Sequence, residues 1–113
     1  MAANKREQFT AAQQQTATIA KALGHPARVA IMQLLAQREA CVCGELVLAL
    51  PLSQSTVSQH LKELKAAGLV QGEVDGARVC YCIDVAGWTL ARQLLGDLLA
   101  ELPAAAAGPT SCC

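Results

Sequence analysis

Apolar residues recur at helical spacing from early in the chain. Phe9, Ala12, Thr16, Ile19, Ala20 and Leu23 fall on one face, which predicts a first helix over residues 6–23. "GHP" breaks it. His25 reads as the lead-in to a second helix and Pro26 as its first-turn residue, where a missing N–H is no loss. Val29, Met32 and Leu35 give this helix its inward stripe, to about Ala36. "QREACVC" reads as a connection, and "CGELVLAL" as a short third helix with Leu46, Val47 and Leu50 on one face. After the turn "PLSQ", Ser53 can cap a fourth helix that runs to Ala67, and Gly68 stops it. Val57, Leu61 and Leu64 are its inward stripe.

Beyond Gly68 the period changes to two. "LVQGEV" and "ARVCYCID" flank Asp75-Gly76, a dipeptide favoured in hairpin turns. Helical spacing returns at Val85, with Trp88, Ala91, Leu94, Leu95, Leu98, Leu99 and Leu102 forming a wide apolar face that Pro103 ends. The predicted fold is mainly α with a small β-hairpin, in the order α-α-α-α-β-β-α. A short helix, a tight turn, a second helix with a polar outer face and a following hairpin make a winged helix-turn-helix. Residues 1–102 form this domain, and residues 103–113 a flexible tail carrying two cysteines.

Composition narrows the chemistry. Nine basic and nine acidic side chains cancel, so any attraction for nucleic acid must come from a local patch. One Phe, one Tyr and one Trp are too few for the stacking platforms of single-strand binders. The polar start of the chain predicts no signal peptide, and no apolar run approaches the ~20 residues of a membrane helix, so a cytoplasmic protein without membrane contact is expected. No nucleophile, base and oxyanion donor converge, so an enzyme is not expected. Six cysteines fall in three close couples, Cys41 with Cys43, Cys80 with Cys82, and Cys112 with Cys113. In a reducing compartment, such couples point to metal binding or redox chemistry rather than to structural staples.

The fourth helix is the candidate DNA reader. Gln54, Ser55, Thr56, Ser58, Gln59 and His60 are read as outward residues at its N-terminal end, the end that usually enters the major groove. Gln pairs bidentately with adenine, and Ser and Thr reach phosphates or base edges. Lys62 and Lys65 follow and can meet phosphates, and Arg78 beside the wing turn can do the same or enter a minor groove. The blander reading is an ordinary solvated helix face.

"ALGHPARVAIMQLL", "SQSTVSQHLKELKAAGLV" and "GARVCYCID" resemble segments of the ArsR/SmtB family of metal-responsive bacterial repressors, over roughly residues 18–102. "CVC" is similar to the "CVCDL" of arsenic-sensing members. The resemblance implies a homodimer formed through the first and last helices, a double-stranded operator near a resistance operon, and repression released when an effector binds. No cofactor would be needed for DNA binding itself. Zinc sensors of the family use carboxylates and histidines of the last helix; here that helix has no His and offers only Asp97 and Glu101.

Soft thiolates select soft ions such as Cu(I), Zn, Cd and Pb, and by the same logic trivalent arsenic and antimony. Arsenic(III) carries a lone pair and takes a pyramid of sulfurs, which suits a chain rich in thiols and poor in imidazole. Cys41 and Cys43 are expected at or before the first turn of the third helix, where the helix dipole lowers a thiol's pKa. Residues two apart in a helix point about 200° apart. Sharing one ion would therefore bend the first turn, disturb the adjoining reading helix and loosen the operator. Coupling of about 1–3 kcal/mol changes affinity about 5–150-fold. Some arsenic sensors of the family hold a third cysteine further along this helix, where this chain has Leu46, and cadmium and lead sensors borrow one from an N-terminal arm that here has none. Two candidates remain for the missing ligand. Cys112 and Cys113 could fold back from the tail, and Cys80 and Cys82 share the outward face of the second wing strand, opposite Val79, Tyr81 and Ile83. Alternatives to an As(III)- or Sb(III)-responsive repressor are a Cd/Pb sensor, a thiol-redox switch of the same fold, and a metal-buffering protein without DNA function.

Overall fold

A computed structural model describes residues 8–37, 42–43, 50–75 and 78–101. The first helix, α1 (Ala11–Ala22), starts later than its apolar spacing suggests. Thr10 and Gln13 set the boundary through a capping box: the Gln13 N–H donates to Thr10 Oγ1 at 3.0 Å and the Thr10 N–H to Gln13 Oε1 at 2.9 Å. Phe9 therefore precedes the helix and stays exposed. Helix α2 (Pro26–Ala36) begins as expected, with the His25 ring as its cap: Nδ1 accepts from the Ala27 N–H at 3.0 Å. Its buried stripe is Ile31, Met32 and Leu35, whereas Val29 is exposed.

The expected connection before the third helix contains a short strand, β1 (Val42–Cys43). The stretch expected as that third helix falls mostly at residues 44–49, outside the described residues, as do Leu102, Pro103 and the tail. The reading helix, α3 (Gln54–Ala66), ends in a Schellman arrangement. Gly68 takes φ +82°, the Gly68 N–H donates to Lys65 O at 2.9 Å and the Leu69 N–H to Leu64 O at 3.0 Å.

The hairpin comprises β2 (Val70–Asp75) and β3 (Arg78–Ile83). Asp75 pairs with Arg78, so Asp75 ends a strand instead of sitting at the turn's centre. Gly72 helps to pin this register. It stands opposite Tyr81 with φ +143°, and a Cβ there would overlap the Cys80 carbonyl and lie 2.8 Å from the Tyr81 Cα. The sheet has three strands in the order β1-β3-β2, so β3 is central: Val42 faces Tyr81 and Cys43 faces Cys80. The wing is thus anchored on a strand that precedes α3.

Helix α4 (Val85–Leu99) is capped by Asp84, which accepts from the Gly87 N–H at 3.1 Å. Gly87 lets this helix approach the end of α3, since a Cβ there would overlap the Gly68 carbonyl. One core joins these elements. Ile31, Leu61, Leu64 and Leu69 have no exposed surface, and Tyr81 and Ala91 close the core from the sheet and from α4. Burying each large aliphatic side chain contributes about 1.5–3 kcal/mol. This core seats α3 on the sheet and leaves its N-terminal end outside.

Candidate nucleic-acid interface and cysteine positions

Ser53 organises the exposed end of α3. Its Oγ accepts from the Thr56 N–H at 3.3 Å and lies 3.1 Å from Ser55 Oγ and 3.0 Å from Thr56 Oγ1. Three hydroxyls therefore gather where the helix presents N–H groups and the positive end of its dipole, a setting that favours phosphate oxygens. Gln54, Ser55, Thr56, Gln59 and Lys62 are exposed and Ser58 is half-buried. Gln59 Nε2 donates to Glu63 Oε1 at 3.3 Å, which orients the amide along the helix. Lys65 is engaged elsewhere: its Nζ donates to Gly72 O at 2.6 Å and ties the helix to the wing. Arg78 opens β3, and its side chain lies outside the description.

His60 departs from expectation. It is 9% exposed and belongs to the inward stripe with Val57, Leu61 and Leu64. Arg28 Nε donates to His60 Nδ1 at 3.1 Å, Arg28 Nη1 donates to Ala22 O at 3.3 Å, and the His25 and His60 ring centroids lie 4.5 Å apart. Burial, then the nearby His25 and Arg28 charges, lower the His60 pKa below its ordinary value. His60 thus joins the reading helix to the α1–α2 corner. The sequence signal was present: position 60 is three beyond Val57 and four before Leu64, on the same helix face.

The cysteines are also arranged differently from expectation. Cys43 lies in an extended strand, so an argument from a helix N-terminus does not apply to it. It stands opposite Cys80. Cys80 and Cys82 are half-buried on the face of β3 opposite the buried Tyr81, as their alternation predicts, and both are disulfide-bonded. Cys41, Cys112 and Cys113 lie outside the described residues. Among the residues whose side chains are described, which leaves out Cys43, no group of three His, Cys, Asp or Glu gathers to hold a metal ion, Asp97 on α4 and Glu101 just beyond it included. None of the described helices is long and apolar enough to cross a membrane.

A reading helix seated on a core, its polar end outside and a wing tied to it, defines a winged helix-turn-helix regulator. Residues 25–71 match the family described as bacterial regulatory protein, arsR family. Over 61 residues the chain is 52% identical to the HTH-type transcriptional repressor SmtB of Mycobacterium tuberculosis, covering 54% of this chain and 44% of that protein. The chain thus spans less than half the length of that relative. Over 76 residues it is 36% identical to the HTH-type transcriptional regulator YgaV of Escherichia coli, covering 67% of this chain and 77% of that protein. It also resembles the solution structure of the homodimeric winged helix-turn-helix DNA-binding domain Mb0332 from Mycobacterium bovis. That likeness has a TM-score of 0.59 and 32% identity, and covers 89% of this chain and 90% of that one. The chain belongs to the arsR family of bacterial regulatory proteins. These relatives are regulators rather than enzymes.

Proposed function

We propose that this chain is a dimeric, cytoplasmic transcriptional repressor that binds double-stranded operator DNA and leaves it when trivalent arsenic or antimony binds cysteine thiolates. The observation that carries the DNA-binding part is the exposed polar end of α3, held against the wing by the Lys65–Gly72 bond. Gln54, Ser55, Thr56, Ser58 and Gln59 face the groove in this reading. Lys62 and Arg78 meet phosphates, and no cofactor is needed. The dimer reading is supported by a groove of about 490 Å³ between α1 and α4, lined by Ala12, Ala17, Leu94 and Leu98 among others. The homodimeric state of the Mb0332 domain agrees with it. The effector reading draws on the donor set, six thiols against two imidazoles, which suits a thiophilic trivalent ion.

The test is DNA retention under arsenite. Reduced protein on DNA selected for binding should lose affinity about 5–150-fold as arsenite or antimonite is added, and Gln59→Ala should weaken binding without arsenite. DNA binding indifferent to both ions removes the effector reading, and retention unaltered by Gln59→Ala counts against α3 as the reader. A redox switch is the second reading, favoured by the disulfide bonding of Cys80 and Cys82. Peroxide would then release DNA where arsenite does not.

A further inference from the structure

We infer that the effector site is built on the sheet, between β1 and β3, with Cys43, Cys80 and Cys82 as the three sulfur ligands of one trivalent arsenic or antimony. This inference rests on the proposed response to a thiophilic ion and names the ligands that carry it. Cys43 and Cys80 are directly opposed in the antiparallel register. Residues so opposed share a sheet face, with Cβ atoms about 4.5–5.5 Å apart. Cys82 lies two positions along β3 and returns to that same face. The backbone thus brings three cysteines from two distant stretches of the chain to one patch. Cys41 is two positions before Cys43 in the sequence, matching the spacing of Cys80 and Cys82.

Cys80 and Cys82 are both disulfide-bonded, so each sulfur already lies against another. A sulfur close enough to bond to another is close enough, once reduced, to share an ion with it. Each disulfide first accepts two electrons and two protons from a cellular thiol reductant: RSSR + 2 R′SH → 2 RSH + R′SSR′. Arsenite then exchanges its oxygens for sulfurs: As(OH)3 + 3 RSH → As(SR)3 + 3 H2O. Arsenic stays trivalent, three As–O bonds are replaced by three As–S bonds, and each thiol proton leaves in water. Oxidation and ligation therefore compete for the same sulfurs.

The location also supplies a route to the DNA-reading surface. Cys80 and Cys82 pair on their other side with Glu73 and Gln71 of β2. The Gly72 carbonyl between those two residues accepts the Lys65 Nζ of α3. An ion that draws β1 and β3 together shifts the central strand, and with it the wing and its tie to the reading helix.

X-ray absorption at the arsenic edge, on phosphine-reduced protein loaded with arsenite, tests the inference. Wild type should show three sulfurs. Cys80→Ser/Cys82→Ser should show two or fewer and need at least about tenfold more arsenite to leave DNA, within the usual span of coupling. Cys112→Ser/Cys113→Ser should match wild type. If the wing variant keeps three sulfurs and a normal response, the inference falls and the arsenite reading stands. If wild type shows no arsenic–sulfur shell, or keeps its DNA under arsenite, both fall. Wild type also allows a test that needs no folded variant. A bifunctional thiol crosslinker applied to reduced protein should join the tryptic peptides 39–62 and 79–92, which hold the two cysteine pairs. Absence of that product, with crosslinks only to the tail peptide, overturns the inference.

Discussion

His60→Ala separates the two roles open to position 60. If the residue is a core member tying α3 to the α1–α2 corner, removing the ring leaves a gap beside His25 and takes away the acceptor that Arg28 Nε meets at 3.1 Å. Arg28 keeps only the Ala22 carbonyl, at 3.3 Å. Orphaning a buried donor costs about 1–3 kcal/mol. Arg28 is half-buried, so the low end applies, roughly 1 kcal/mol. The lost ring burial adds about 1–2 kcal/mol, and the better helix propensity of Ala returns about 0.5 kcal/mol. The net loss is about 2 kcal/mol, a sizeable part of the roughly 5–15 kcal/mol that holds a domain together. With a urea slope of about 2 kcal/mol per M, the unfolding midpoint should fall by about 1 M. In buffer the variant is still mostly folded, and its DNA affinity should change by less than about threefold. The opposite pattern refutes the core role: an unmoved midpoint with a loss of about 1–3 kcal/mol in DNA binding is the mark of a base-reading side chain.

Because the His60 pKa is lowered, the unfolded chain takes up a proton that the folded chain resists. Its contribution is therefore fully present above pH 6.5 and is lost as pH falls from 6.5 toward the lower folded value; urea midpoints at about pH 7.5 and about pH 5.5 should differ in wild type, and the His60→Ala variant should lose part of that difference. Gly87→Ala sets two effects against each other: helix propensity gains about 1 kcal/mol, but the new Cβ meets the Gly68 carbonyl, and overpacking costs about 1–3 kcal/mol or more. Net destabilisation in a thermal melt is expected, and a stabilised variant would contradict the close approach of α4 to the end of α3. Lys62→Met should lower the slope of log affinity against log salt by about 1, as a lost phosphate contact does, whereas Lys65→Met, which frees the wing at Gly72, should weaken DNA binding with little change in that slope.

What could be read from the chain without its structure follows the range of the forces involved. The limits of α3 are local, written in Ser53 and Gly68, and the Schellman bonds at residues 64–69 realise them. Pro26 and Asp84 mark helix starts in the same way. His60 was misread because its polarity outweighed its spacing, although positions 57, 60, 61 and 64 form one helical stripe. Strand β1 was illegible for a different reason. Two residues carry no period, and their extended form depends on a distant partner strand, Val42 pairing with Tyr81 and Cys43 with Cys80. The same non-local pairing decides how the cysteines are grouped. Spacing alone sorts them into three neighbouring couples, each an isolated pair. The β1-β3-β2 order sets Cys43 of one couple against Cys80 of another. A cysteine that looks isolated at a helix start thereby stands in register with one on the wing, and under the inference above the search for the missing ligand moves to the central strand of the sheet.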